Sequence, residues 1–251
     1  MKIRVYGSSS AGNCIRVDFD NGAFLYLDAG ISPKKIKEPK ANAHFLVTHA
    51  HGDHAKYATK MVDDYGATII CTVGTRNTMR LPPDAVTAVF ALPELTPSYV
   101  LKFMEAAEKS SSGFFVCAVA TQHDAYGSCA FVVFAGKETL FYCVDTGAIP
   151  ETHRMVFDAV IIEANYTAKR LAENLLSESR EGYVAGRVSS CAGHLSLDDV
   201  FEWIKPNLKY KPKVFLAHRS SVNFDEAELS EMDSSFTDCC TLIESGGVYV
   251  V

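Results

Sequence analysis

The chain has no apolar run approaching the roughly 20 residues that a membrane-spanning helix requires, so no membrane role is expected. No leader is expected, because Lys2-Ile3-Arg4-Val5-Tyr6 reads at once as a strand. No Pro/Gly/Ser-rich linker, charge block, low-complexity tract or internal repeat divides the sequence. A single domain over residues 1–251 is therefore expected, and 48% apolar content is enough for one large core or two small ones. The eight cysteines have no C-x-x-C pairing. Cys117, Cys129 and Cys143 fall inside apolar strand-like runs and the vicinal Cys239-Cys240 reads as core packing, so buried thiols in a reducing cytoplasm are expected rather than disulfides. Positive charge is scarce as well. With 24 Lys and Arg against 30 Asp and Glu, the net charge is −6, which does not advertise a nucleic-acid binder. Bound cations could still reverse the local field at a site. The one obvious basic cluster is Lys34-Lys35-Ile36-Lys37 with Lys40.

Histidine is present, and it is concentrated. Thr48-His49-Ala50-His51-Gly52-Asp53-His54 places three imidazoles and a carboxylate within six residues. Ala43–Val47 before them is strand-like, and Ala55–Val62 after them reads as the body of a helix of about 53–65. The four side chains thus lie on a strand-to-helix loop, where a rigid scaffold presents groups to solvent. His49 and His51, two residues apart, can turn toward one ion; Asp53 and His54 are offset and suit a second beside it. Solvated loop histidines are the bland alternative, and the density of ligand types argues against it.

At this motif the chain resembles the metallo-β-lactamase superfamily. The resemblance implies an α/β fold, a four-layer αββα sandwich, and further ligands at later strand ends: a His, a bridging Asp and a last His. Three strand-like runs end suitably. Phe114–Ala120 leads to His123, Thr139–Val144 to Asp145, and Lys213–Ala217 to His218. Two sets follow, His49, His51 and His123 with Asp145, and Asp53, His54 and His218 with the same Asp145. A shared carboxylate would hold two divalent ions roughly 3.5–4 Å apart. Imidazole and carboxylate ligands suit Zn²⁺ or Mn²⁺, and iron is compatible. Water bridging such ions loses its proton near neutral pH and can attack phosphorus or a carbonyl.

A finer resemblance, to the YycJ/WalJ branch, covers almost the whole chain. It rests on Gly7–Cys14, read as a Gly/Ser-rich loop, on Leu27–Ser32, and on His123-Asp124-Ala125 and Asp145-Thr146-Gly147. Ile162–Tyr166, Gly193-His194-Leu195-Ser196 and His218–Asn223 complete it. The resemblance implies a metal-dependent nuclease acting on DNA, with 5′-to-3′ exonuclease activity. The similar motif order of ribonuclease Z strengthens a phosphodiester substrate. It further implies that Asp53 and His194 are catalytic, with His194 beside the scissile phosphate. Packing against a helix of 196–205, where Ser196 and Asp199 suit an N-cap, is the competing role for His194. Glu163 is a candidate to orient His194 or a ligand His, and Ser9, Asn13, Ser220 and Asn223 are candidates for substrate contact. The chain departs from the branch at Leu197, Tyr166 and Arg219, none of them a ligand, so the departures bear on substrate choice. Two alternatives stay open: a hydrolase of lactones, thioesters or cyclic phosphodiesters on the same metal core, and a non-catalytic metal-binding module. His44 and His153 read as structural. Elsewhere, Pro97 starts a helix carrying Val100, Leu101, Phe103, Met104 and Ala107, Val156–Glu163 reads as a buried strand, and a helix is expected at about 167–178.

Overall fold

A computed structural model describes residues 1–36, 40–153, 155–177 and 193–251. Lys37 of the basic cluster and residue 178, the expected end of a helix, lie outside the described residues. Two seven-stranded sheets form the centre. The first contains β1 (Lys2–Ser9), β2 (Gly12–Asp18), β3 (Phe24–Leu27), β4 (His44–Leu46), β5 (Thr68–Thr72) and β6 (Val86–Val89), with β14 (Val248–Val250) on the β1 edge. The second runs in sequence order from β7 (Ala91–Leu92) through β8 (Phe115–Ala120), β9 (Cys129–Ala135), β10 (Glu138–Cys143), β11 (Ala159–Glu163) and β12 (Lys213–Ala217) to β13 (Cys240–Leu242).

The pleat explains the layering. In β9 every residue is buried. Phe131 and Val133 enter the core between the sheets, and Val132 and Phe134 enter the core on the outer face, as period-two alternation requires. The inner core joins Ile3, Val5, Ile15, Leu25 and Leu46 of the first sheet to Leu140, Tyr142, Ile161 and Phe215 of the second. Outside the first sheet, Ala58 and Met61 of helix α2 (Ala58–Tyr65) cover Tyr26, Phe45 and Ile69. Outside the second sheet lie α4 (Pro97–Lys109) and α6 (Leu197–Ile204). Each fully buried large side chain contributes about 1.5–3 kcal/mol. The result is the four-layer αββα sandwich expected from the sequence.

Several local expectations shift. The helix of about 53–65 is two, α1 (Gly52–Ala55) and α2, because the Tyr57 amide donates to Ala29 O at 2.9 Å and leaves the helical ladder. The Gly/Ser-rich loop is a hairpin: β1 and β2 pair as far as Ser9 opposite Gly12 and only Ser10 and Ala11 turn. In α4, Val100, Phe103, Met104 and Ala107 share the buried stripe, and Leu101, one position off that stripe, is exposed to solvent. The strand expected at Val156–Glu163 begins at Ala159, and the helix after it is α5 (Ala168–Leu175). Residues 73–79 form α3 (Val73–Met79), capped by the Thr72 hydroxyl.

Strands β8, β10, β11 and β12 are mutually parallel, since β9 runs antiparallel to both β8 and β10. In the first sheet β3, β4 and β5 are parallel. The carboxyl ends of parallel strands form the rim where α/β folds place their ligands, and here that rim carries the histidines.

Candidate metal centre

Each strand exit delivers one or more polar side chains. β3 leads to Asp28, β4 to Thr48 and His49, β8 to His123, β10 to Asp145, and β12 to His218, while β11 ends on Glu163. Asp28, Asp145 and His218 all have left-handed backbone, with φ of 60°, 51° and 49°. Such conformations cost a non-glycine residue about 1–3 kcal/mol and collect at functional sites. Three at one rim mark the rim as the site.

The sequence-predicted ligands converge. Ligand atoms of His49, His51 and His123 lie within 4.8 Å of one another, and so do those of Asp53, His54, Asp145 and His218. Asp145 stands between the two sets. Its Oδ2 lies 2.7 Å from His54 Nε2 and 3.5 Å from His49 Nε2, and its Oδ1 lies 3.0 Å from His218 Nδ1 and 3.3 Å from His194 Nδ1. A third overlapping group joins Asp145, Glu163, His194 and His218, so His194 is closer to the ligand cluster than its expected place beside a phosphate alone.

The donors fit a divalent cation. His49 Nε2, His218 Nε2 and Asp145 Oδ1 are buried with no hydrogen-bond partner. They lie 3.0–3.5 Å from neighbouring ligand candidates and yet form no hydrogen bond. Buried polar atoms left unpaired are costly, and a metal accounts for them. His49 shows the fit most clearly. The Thr48 hydroxyl donates to Asp28 Oδ1 (3.0 Å) and lies 3.0 Å from His49 Nδ1. It can accept only from an Nδ1–H, which leaves the lone pair on Nε2. Burial and then the neighbouring His54 push the His49 pKa down to about 2, so the ring is a neutral ligand at any physiological pH.

Asp28 does for His54 what Thr48 does for His49. Fully buried, it accepts from Thr48 N (2.9 Å) and Tyr142 OH (2.6 Å), and its Oδ2 lies 2.7 Å from His54 Nδ1. This fixes His54 Nε2 toward Asp145. The site role of Asp28 was not expected from the sequence. The same holds for Ser8, whose hydroxyl accepts from His218 N (2.9 Å), and Asn165, whose amide donates to His218 O (2.9 Å).

Glu163 lies against His194, one of the two partners for which it was a candidate. Its Oε2 is 2.9 Å from His194 Nδ1, and its Oε1 accepts from Thr146 N (2.7 Å) and Leu195 N (3.3 Å). The helix cap falls to Ser196 and Asp199, which form a capping box, and His194 is not needed there.

Two substrate-contact candidates are corrected. Asn13 is buried, with Nδ2 3.0 Å from His54 Nε2 and donating to Asp53 O (3.3 Å); it braces the ligand loop. Asn223 is fully buried, and its Oδ1 accepts from Asn174 Nδ2 (2.8 Å). Neither side chain faces solvent. Ser9 is partly exposed and accepts from Ala11 N, whereas the Ser220 hydroxyl accepts from Asn223 N within a turn. Of the basic residues, Lys40 stacks on Phe24 at the start of β3, away from the rim, and Arg219 pairs with Glu226 and Glu244. His44 packs edge-on against Phe114, and His153 pairs with Glu94.

The loop carrying Asp53 is tightly clamped. Ala29 N donates to His54 O (2.6 Å), and a Cβ on Gly30 would stand 1.7 Å from Asp53 O. Gly30→Ala is therefore expected to destabilise the protein by about 1–3 kcal/mol, as overpacking does. Urea unfolding would measure it; an unchanged midpoint would mean the loop is looser than this geometry shows.

Protonation in the metal-free protein follows from the surrounding charge. Burial opposes a charge on His54, but Asp28 and Asp145 outweigh it and hold the pKa well above the ordinary value. For His218, burial is likewise outweighed by Asp145 and Asp53. Both rings thus hold a proton more tightly than a free imidazole does, and a ligand imidazole must be neutral. Metal loading should therefore release protons, and metal affinity should rise with pH until the folded pKa values of the two rings are passed. Titration calorimetry in two buffers of different ionisation heat measures this, and buffer-independent heats would contradict it.

Comparison with known families agrees with this geometry. Residues 26–217 match the model of the β-lactamase superfamily domain. The chain belongs to that family. As a member, it is a hydrolase of the metallo-β-lactamase fold carrying a candidate divalent-metal site. No curated protein sequence matches it. Among solved structures it is similar to human tRNase Z, short form, with 15% identity, TM-score 0.60 and coverage of 100% of this chain and 99% of that one. Zn²⁺-bound PqqB from Methylobacterium extorquens gives 15% identity, TM-score 0.63 and full coverage of both chains. A diphosphatase of the PhnP family gives 12%, 0.64, and coverage of 100% and 97%. At such identities the likeness is one of fold. Among the described residues no helix is long and apolar enough to cross a membrane.

Proposed function

We propose that this family member is a phosphodiesterase of nucleic acid that holds two divalent ions, Zn²⁺ or Mn²⁺ with iron compatible. We further propose that it is a single-domain cytoplasmic DNA exonuclease of the YycJ/WalJ-like branch, acting 5′ to 3′. The observation that carries the reading is the placement of His194. It is partly open to solvent, tethered through Nδ1 to buried Glu163, and beside Asp145, the carboxylate shared by the two ligand sets. Metal ions bound there would supply Lewis-acid polarisation and a nucleophile at neutral pH. The chain's own residues supply orientation and a proton. Glu163 fixes His194 by its Nδ1–H, which leaves Nε2 as the ring atom free to give a proton to the leaving oxygen as its bond to phosphorus breaks. Asp28 and Thr48 hold His54 and His49 in the tautomers that direct Nε2 inward. The names of two similar structures, a tRNase and a diphosphatase, are in keeping with a phosphoester substrate.

His194→Ala is expected to lower kcat by about 10²–10⁴-fold while leaving metal content unchanged, measured by elemental analysis beside the assay. Lost metal would make His194 a ligand instead. The reading as a whole is tested by digesting 5′- and 3′-labelled single- and double-stranded DNA and RNA with Mn²⁺ or Zn²⁺ supplied. Metal-dependent release of the 5′ label first is expected. The net charge of −6 favours a second reading, a hydrolase of lactones, thioesters or cyclic phosphodiesters, and protein that holds metal but cleaves no polymer would support it.

A further inference from the structure

A cavity of about 580 Å³ opens beside the metal centre, where the chain crosses from β6 to β7 and where the β8–β9 loop passes the start of α3. His123 and Asp124 line it, so it is continuous with the ligand cluster. Its other walls include Phe90 and Tyr126, which are 84% and 78% exposed. Single exposed apolar residues are ordinary, but two aromatic rings lining one cleft next to a cluster of metal-ligand residues are not.

The cleft's chemistry limits what it can take. No Lys or Arg lines it, and Asp124 adds negative charge, so the phosphate of a substrate is excluded from this part. An uncharged planar group satisfies that condition. The mounting is firm. Gly127 O accepts from Thr72 Oγ1 (2.6 Å) and Thr75 Oγ1 (3.1 Å), and a Cβ on Gly127 would come within 2.7 Å of Gly74 Cα. The backbone that bears Tyr126 is thus anchored, in a loop that also carries His123. Stacking of a base on an aromatic ring tolerates any base and needs no cation.

The geometry points to a nucleobase subsite, in which Phe90 and Tyr126 stack the base of the nucleotide next to the scissile phosphodiester. This rests on the phosphodiester reading for what lies beside the base. The test compares binding of adenosine 5′-monophosphate with ribose 5-phosphate, which lacks the base, by calorimetry on the metal-loaded protein. Wild type, Phe90→Ala, Tyr126→Ala and the double variant are used, and both side chains are exposed enough to be removed without unfolding. The nucleotide should bind more tightly than the sugar phosphate in the wild type. Each substitution should raise its Kd by about 5–150-fold and leave ribose 5-phosphate unchanged. On labelled single-stranded DNA the variants should raise KM rather than lower kcat. Equal affinity for the two ligands in the wild type, or unchanged nucleotide binding in the variants, overturns the subsite. Polymer cleavage with unaffected variants would leave the nuclease standing without it. Nucleotide binding that needs the two rings, in a protein that cleaves no polymer, would keep the subsite and remove the nuclease.

Discussion

Asp145→Asn is expected to abolish hydrolysis and strip metal from the protein while leaving the sandwich folded. Four imidazoles, those of His49, His54, His194 and His218, approach this one buried carboxylate within 3.5 Å. Burial penalises its charge, but His218 and His54 more than offset that and hold the Asp145 pKa well below the usual carboxylate range. An amide of the same shape removes the negative charge and turns an NH₂ donor toward the cluster. Losing an orienting partner of a ligand usually costs about 10–100-fold in metal affinity or activity, and loss of a shared ligand should exceed that. The fold should persist because β10 is held by neighbours on both sides. Elemental analysis, a hydrolysis assay and circular dichroism on the same preparation separate these effects. Full metal occupancy with retained activity would remove Asp145 from its bridging place.

Asp28→Ala should have the largest effect on stability. The carboxylate is fully buried and serves Thr48, Tyr142 and His54 at once. Removing it leaves the Tyr142 hydroxyl and His54 Nδ1 without an acceptor inside the core. Breaking a buried pair in this way costs about 3–5 kcal/mol, a fall in Tm on the order of 10 °C for a chain of this length. Metal affinity should drop about 10–100-fold, because His54 loses the contact that fixes its tautomer. Asp28→Asn keeps the shape and should lie between. A Tm within 2 °C of wild type for Asp28→Ala would show that the network is dispensable.

What the sequence made legible was what is local and chemically rare. His49, His51, Asp53 and His54 announce themselves because four potential ligands fall within six residues. His123, Asp145 and His218 follow because each closes an apolar strand. Asp28 escaped because an Asp before Ala-Gly reads as a turn, and its partners come from β4's exit, α1 and β10, the last 114 residues away. Asn13 and Asn223 were misread for the converse reason. A polar residue near a motif suggests solvent, and only packing shows that both side chains are buried. The break between α1 and α2 was equally hidden, since the acceptor for Tyr57 N lies in another strand's exit. Strands β13 and β14, three residues each, are too short for alternation to register and exist by pairing with β12 and β1.

The measurement closest to the central claim is anomalous diffraction from crystals of the metal-loaded protein, collected at the absorption edge of the bound ion. Two peaks are expected flanking the Asp145 carboxylate, one among His49, His51 and His123 and the other among Asp53, His54 and His218. A single peak held by Glu163 and His194, or none near Asp145, would contradict it.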